Sequence, residues 1–171
     1  MFRHHDSQPA MLGNTYQVKE KLIAVGDDFW IEDSNGNRIF KMNGKALRIR
    51  DTTIMEDAHG NELLKIQHKM LHIRNTTDIE RNGQTVASVH KRKLTIREHF
   101  VVERNGRTDL EVTGNIVAHD YHVNDGDETI AQVSKAWFRV RDTYGVSVAP
   151  EQDDVLLLAI VICIDQMSHD N

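Results

Sequence analysis

The densest run of cations in the chain is His90-Lys91-Arg92-Lys93, followed shortly by Arg97. Ammonium and guanidinium groups on a rigid scaffold suit anionic oxygens. Guanidinium forks pair with phosphate, and clustered cations are drawn to phosphatidylserine and phosphoinositide headgroups. Lys91, Arg92, Lys93 and Arg97 are therefore the candidate binding residues for an anionic phospholipid headgroup. A plainer reading stands beside this one: the run falls between two predicted strands and reads as a solvated hairpin turn. Lys65, Lys69 and Arg74 extend the patch if the preceding strand is its neighbour. Arg48 with Arg50, and Arg139 with Arg141, share faces by the period of two that a strand imposes. The 21 basic and 26 acidic side chains leave a net charge of −5. That balance, with no aromatic stacking platform beside the cations, disfavours nucleic acid as a partner.

Ten histidines raise the question of a metal. His4-His5 lies in a polar N-terminal stretch. His119 and His122 are three apart, so on a strand they face opposite sides and do not converge. His68 and His72 share a face with Met70 between them, which suits a strand surface. No metal is expected. The single cysteine, Cys163, sits inside an apolar run, where burial raises a thiol's pKa and hides it from substrate. One cysteine excludes an intramolecular disulfide, and the polar start Met1-Phe2-Arg3-His4-His5-Asp6 is not a secretory signal, so a cytoplasmic protein is expected. No GxSxG elbow, P-loop or dinucleotide fingerprint is present. Asp57, Glu103 and Asp142 flank turns, where carboxylates are common. The expectation is a non-enzyme without a cofactor.

The elements that must position these groups are strands. Asn-Gly or Asp-Gly turns recur at Asn35-Gly36, Asn82-Gly83, Asn105-Gly106 and Asp125-Gly126, with His59-Gly60 in the same rhythm. Such pairs tolerate the positive φ of tight hairpins. Each turn lies between β-rich runs, such as Phe29–Asp33 and Arg38–Met42. Shorter alternating runs follow at 46–50 and 94–97. The count is about a dozen strands, which reads as an all-β barrel or sandwich. Near the end, Val155 to Ile164 is an unbroken apolar run of ten residues. A membrane-crossing helix needs roughly 20, so no transmembrane span is expected. Pro150 ends the preceding strand, and Glu151, Asp153 and Asp154 place negative charge at the start of a helix near 152–166. A helix apolar all round must be buried all round. The architecture expected is a closed antiparallel barrel of about twelve strands around a buried C-terminal α-helix. Val155, Leu156, Leu157, Leu158, Ile160, Val161, Ile162 and Ile164 are its core residues. Residues 1–13 form a flexible tail and 14–171 a single domain. Trp30, Trp137 and Phe138 pack the barrel wall or its mouth, where an exposed tryptophan is also able to touch lipid.

The sequence also resembles a known family. The matching elements begin at Tyr16-Gln17-Val18-Lys19-Glu20-Lys21 and run through Asp33-Ser34-Asn35-Gly36-Asn37, Met42-Asn43-Gly44-Lys45 and Glu56-Asp57-Ala58-His59-Gly60. They continue with Val112-Thr113-Gly114-Asn115, Ile130–Lys135 and Asp142-Thr143-Tyr144-Gly145-Val146. They close on Gln152-Asp153-Asp154, Leu156-Leu157-Leu158-Ala159 and Ile164-Asp165-Gln166-Met167. In order and spacing these resemble the LURP-one-related family of the Tubby C-terminal-like superfamily. That resemblance implies a twelve-stranded barrel around a hydrophobic C-terminal helix. It implies relatives that bind phosphoinositides (Tubby proteins) or are phospholipid scramblases, and plant members associated with defence. It carries over no catalytic residue, and no particular lysine–arginine pair of the Tubby branch maps onto this chain. The expected function is a non-catalytic binding module at the cytoplasmic membrane face, with a protein-interaction scaffold that ignores lipid as the alternative.

Overall fold

A computed structural model describes residues 10–19, 28–44, 52–71, 74–94, 97–138 and 140–169. Twelve strands run in chain order: β1 (Asn14–Lys19), β2 (Phe29–Asp33), β3 (Arg38–Asn43), β4 (Thr52–Asp57), β5 (Glu62–Leu71) and β6 (Arg74–Arg81). The second half holds β7 (Gln84–Leu94), β8 (Arg97–Arg104), β9 (Arg107–Asn115), β10 (Asp120–Asp125), β11 (Glu128–Ser134) and β12 (Thr143–Val148), followed by the helix α1 (Asp154–His169). Every strand pairs antiparallel with its sequence neighbours, and β1 closes on β12 in register from Asn14↔Val148 to Lys19↔Thr143. The expected closed barrel is thus present, and it is a meander with no edge strand left open.

Closure is assisted by a repeated defect. A register shift falls at the same point of five successive hairpins, at Ile31/Glu32, Met55/Glu56, Ile79/Glu80, Val102/Glu103 and Val123/Asn124. A bulge adds local twist and bends its strand, as a closed barrel requires. All five lie just before the glycine turns, at one end of the barrel, called here the glycine-turn end. The turns themselves divide into two kinds. Asn82-Gly83 and Asn105-Gly106 have both residues at positive φ (51° and 77°, 53° and 76°), as a two-residue turn demands. At Gly36 and Gly60 only the glycine is left-handed. There an aspartate organises the loop: Asp33 Oδ1 accepts from the Asn35 and Asn37 amides, and Asp33 Oδ2 from the Asn37 side chain. Asp57 repeats this bond for bond with His59 and Asn61.

The interior is filled by alternate strand residues and by α1. Tyr144, Val146 and Val148 of β12 and Ala87 and Val89 of β7 belong to one core cluster with the helix. Leu158 to Ile164 are all 0 % exposed, so the helix is buried on every side. It enters at the glycine-turn end. Asp153 caps it, accepting from the Leu156 amide at 3.1 Å, and binds Arg81 at 2.9 Å. Asp154 in the first turn accepts from the Tyr16 hydroxyl and from Asn14 Nδ2. The helix begins and ends slightly later than the expected 152–166.

Two local expectations differ from what is found, and a third falls outside the described residues. Leu12 and Gly13, assigned to a flexible tail, are tied to β12: their amides donate to Ser147 Oγ at 2.7 and 3.3 Å. Residues 1–9 lie outside the described residues. The run 94–97, expected as one strand, straddles a hairpin in which Leu94 pairs with Arg97, with 95–96 outside the described residues. The run 46–50, with Arg48 and Arg50, lies outside them too.

Candidate functional site

The basic run His90 to Lys93 is not a turn. It lies within β7, paired with β6 on one side and β8 on the other. A strand separates neighbours by face, so the run is divided between inside and outside. Arg92 is exposed and stands opposite His99 of β8. Lys91 is 4 % exposed and points inward with Val89. Its Nζ donates to the carbonyl oxygen of Met167 at 2.9 Å. The last carbonyls of a helix carry partial negative charge and have no partner within the helix. The Lys91 ammonium supplies both a donor and a positive charge there. Lys91 therefore holds the end of α1 and is not on the outer surface. The strand positions of Lys93 and Arg97 are described, but their side chains are not, and the same holds for Lys69 and Arg74; Arg139 lies outside the described residues. Arg141 is exposed.

The same end of α1 holds a second polar contact. His119, in the turn between β9 and β10, places Nε2 2.8 Å from Asp165 Oδ1, and both residues are 2 % exposed. The imidazole stacks on Tyr144 with ring centroids 4.4 Å apart. Tyr121 is fully enclosed alongside, and its hydroxyl is held well above its ordinary pKa by burial and, secondarily, by the Asp165 charge. His122 does not join this cluster; it lies on β10 and is half-buried. Sequence reading weighed His119 as a metal ligand and passed over Asp165. The signal was present: a carboxylate directly after ten apolar residues on an all-buried helix requires a buried partner. Among the described residues no group of three or more His, Cys, Asp or Glu could hold a metal ion. Cys163 is fully buried, and burial pushes its thiol far above the ordinary range. Asp57 spends its carboxylate on its own turn.

On the outside, a groove of about 430 Å³ lies at the glycine-turn end, between residues 11–16 and the β2–β3 hairpin, with Tyr16, Asp33 and Ile39 in its lining. Three of its polar side chains are engaged elsewhere: Tyr16 and Asn14 with Asp154, and Asp33 with its turn. Trp30 is partly buried beneath the Arg38 guanidinium, which sits 5.5 Å from the ring centre. At the other end, Trp137 and Phe138 lie over Gly145. A Cβ placed there would come within 2.7 Å of the Trp137 ring and 2.9 Å of the Phe138 ring. Gly145 alternates with the inward Tyr144 and Val146, so these aromatics cover the outer wall.

A closed twelve-stranded meander threaded by an apolar helix, with that helix pinned at both ends, is a distinctive class of barrel. The family model described as LURP-one-related matches residues 14–165, and the chain belongs to that family. It is similar to the uncharacterized protein YxjI of Bacillus subtilis (strain 168), 27 % identical over 154 residues that span 90 % of this chain and 93 % of that protein. Among solved structures it resembles the Arabidopsis thaliana protein AT5G01750, with a TM-score of 0.68 and 17 % identity, covering 93 % of this chain and 94 % of the other. At that identity the likeness is one of fold.

Proposed function

We propose that this chain is a non-catalytic binding module that works from its outer surface, with an anionic phospholipid headgroup as its ligand. The observation that carries the first part is the complete burial of Leu158 to Ile164. Small barrels that hold a ligand do so in an interior cavity, and here that interior is occupied by helix. The headgroup is supported by exposed Arg92 on the rigid β7 ladder, with Lys93 and Arg97 close by in sequence. No helix among the described residues is long and apolar enough to cross a membrane; the contact proposed is peripheral, at a cytoplasmic face.

A protein-interaction scaffold that ignores lipid is the second reading. It is favoured by the pairing of other cations with carboxylates: Lys41 with Asp28, Arg81 with Asp153, and Arg104 with both Asp109 and Asp125. Co-sedimentation with vesicles of neutral, phosphatidylserine and phosphoinositide composition, at low and physiological salt, separates the two. The headgroup reading expects salt-sensitive binding to the anionic vesicles that Arg92→Glu weakens several-fold and Lys91→Met leaves intact. Absence of binding to every composition would leave the scaffold.

A further inference from the structure

We infer that the barrel end opposite the glycine turns is a docking face for an anionic lipid surface, built on Trp137, Phe138, Val140 and Val117 and flanked by Lys135 and Arg141. This deepens the headgroup reading and rests on it. Two neighbouring connections make the face: residues 116–119 between β9 and β10, and 135–142 between β11 and β12. Since β10 pairs with β11, the two connections are neighbours around the rim, about 10 Å apart at two interstrand spacings.

Val117 is 77 % exposed and Val140 54 %, two of the three large apolar side chains most open to solvent among the described residues. Neither is on a loose loop. Val117 sits on a turn closed by His119 N to Ile116 O at 3.1 Å and Ala118 N to Asn115 Oδ1 at 3.1 Å, and anchored through His119 to Asp165. Beside Val140, Thr143 Oγ1 donates to the Val140 carbonyl at 2.7 Å, and the Ala136 amide donates to Ser134 Oγ at 3.0 Å. Apolar tips on ordered turns are the groups least suited to water and lose little entropy on insertion.

The composition points to the partner. Residues 135–142 read Lys-Ala-Trp-Phe-Arg-Val-Arg-Asp: three cations, two aromatics and one acid, in a chain of net charge −5. Tryptophan prefers the headgroup level of a bilayer, and basic side chains beside it meet anionic lipid. Asp120, exposed, and Asp142, half-buried, are acids near the face. The glycine-turn end is its opposite in charge, with Asp125, Asp127, Glu128, Glu151 and Asp153 exposed. An anionic surface therefore attracts one end of the barrel and repels the other.

The test uses the full chain carrying Trp30→Phe, so that Trp137 is the sole reporter. With phosphatidylserine vesicles the expected result is a blue shift of Trp137 emission and quenching by lipids brominated near the headgroup. Val117→Asp, Val140→Asp and Lys135→Glu are each expected to weaken vesicle binding about tenfold at unchanged thermal midpoint. Met11→Asp at the glycine-turn end is expected to bind within twofold of the parent. Failure of the parent to bind any anionic vesicle removes the headgroup reading and this face with it. Binding that persists through all three rim variants with Trp137 emission unmoved overturns the docking face alone. So does a rim whose variants release a protein from the chain and leave vesicle binding intact.

Discussion

Two residues that look alike in sequence, Lys91 and Arg92, have opposite fates because a strand sends neighbours to opposite faces. The parity of β7 carries that information: Ala87, Val89 and Lys91 form one set, and the apolar members mark it as the inner one. Lys91→Met leaves the Met167 carbonyl without its buried donor and is expected to cost about 1–3 kcal/mol, read as a lower urea midpoint with unchanged slope. His119 and Asp165 carry a larger share. Removing one member of a buried pair strands the other, so His119→Ala or Asp165→Ala is expected to destabilise by about 3 kcal/mol. The double variant should cost much less than the sum of the two, measured as a double-mutant cycle in urea. Additive losses would mean that the two side chains do not depend on each other. Spacing alone could not pair them, since 46 residues separate them in the chain.

At the scale of elements, the hairpin rhythm and the apolar run were legible because their causes are local. Glycine at positive φ marks each turn, and a run with no polar face has nowhere to lie but the interior. The start of α1 was legible too, since a capping aspartate after a proline needs no tertiary context. Less visible was the difference between the turns, which depends on an aspartate three residues before the glycine and an asparagine one after it. The Asn37 and Asn61 side-chain amides, and then backbone N–H groups, hold the Asp33 and Asp57 carboxyls below their ordinary range. A carboxyl depressed in the folded state stabilises it above the unfolded-chain pKa, about 3.9, and that stability is lost as pH falls through the folded value. Asp33→Asn with Asp57→Asn should therefore flatten the fall of the thermal midpoint below about pH 4. A fall as steep as in the parent would deny these turns a role in acid unfolding. Leu157→Asp places a carboxylate in the helix interior face and is expected to prevent soluble folding, because its burial costs several kcal/mol against a margin of about 5–15. A cooperatively melting Leu157→Asp protein would contradict the core role of α1. Gly145→Ala pushes a methyl against Trp137 and Phe138; their displacement should red-shift tryptophan emission without loss of the barrel.

For the whole molecule, the helix decides where function is possible. It fills the interior, is held at its start by Asp153 with Arg81 and at its end by Lys91 and the His119–Asp165 contact, and leaves the outer wall and the two rims for partners. One rim is acidic, and the other carries apolar tips with Lys135 and Arg141 as well as Asp120 and Asp142. That polarity was hidden in the sequence because net charge averages over both ends, and only the topology assigns each connection to an end. Hydrogen exchange of the intact chain, with and without phosphatidylserine vesicles, tests the account most directly. New protection is expected in residues 116–119 and 135–142, with the α1 amides equally slow in both states. Vesicle-dependent exposure of α1, or protection confined to the glycine-turn end, would contradict it.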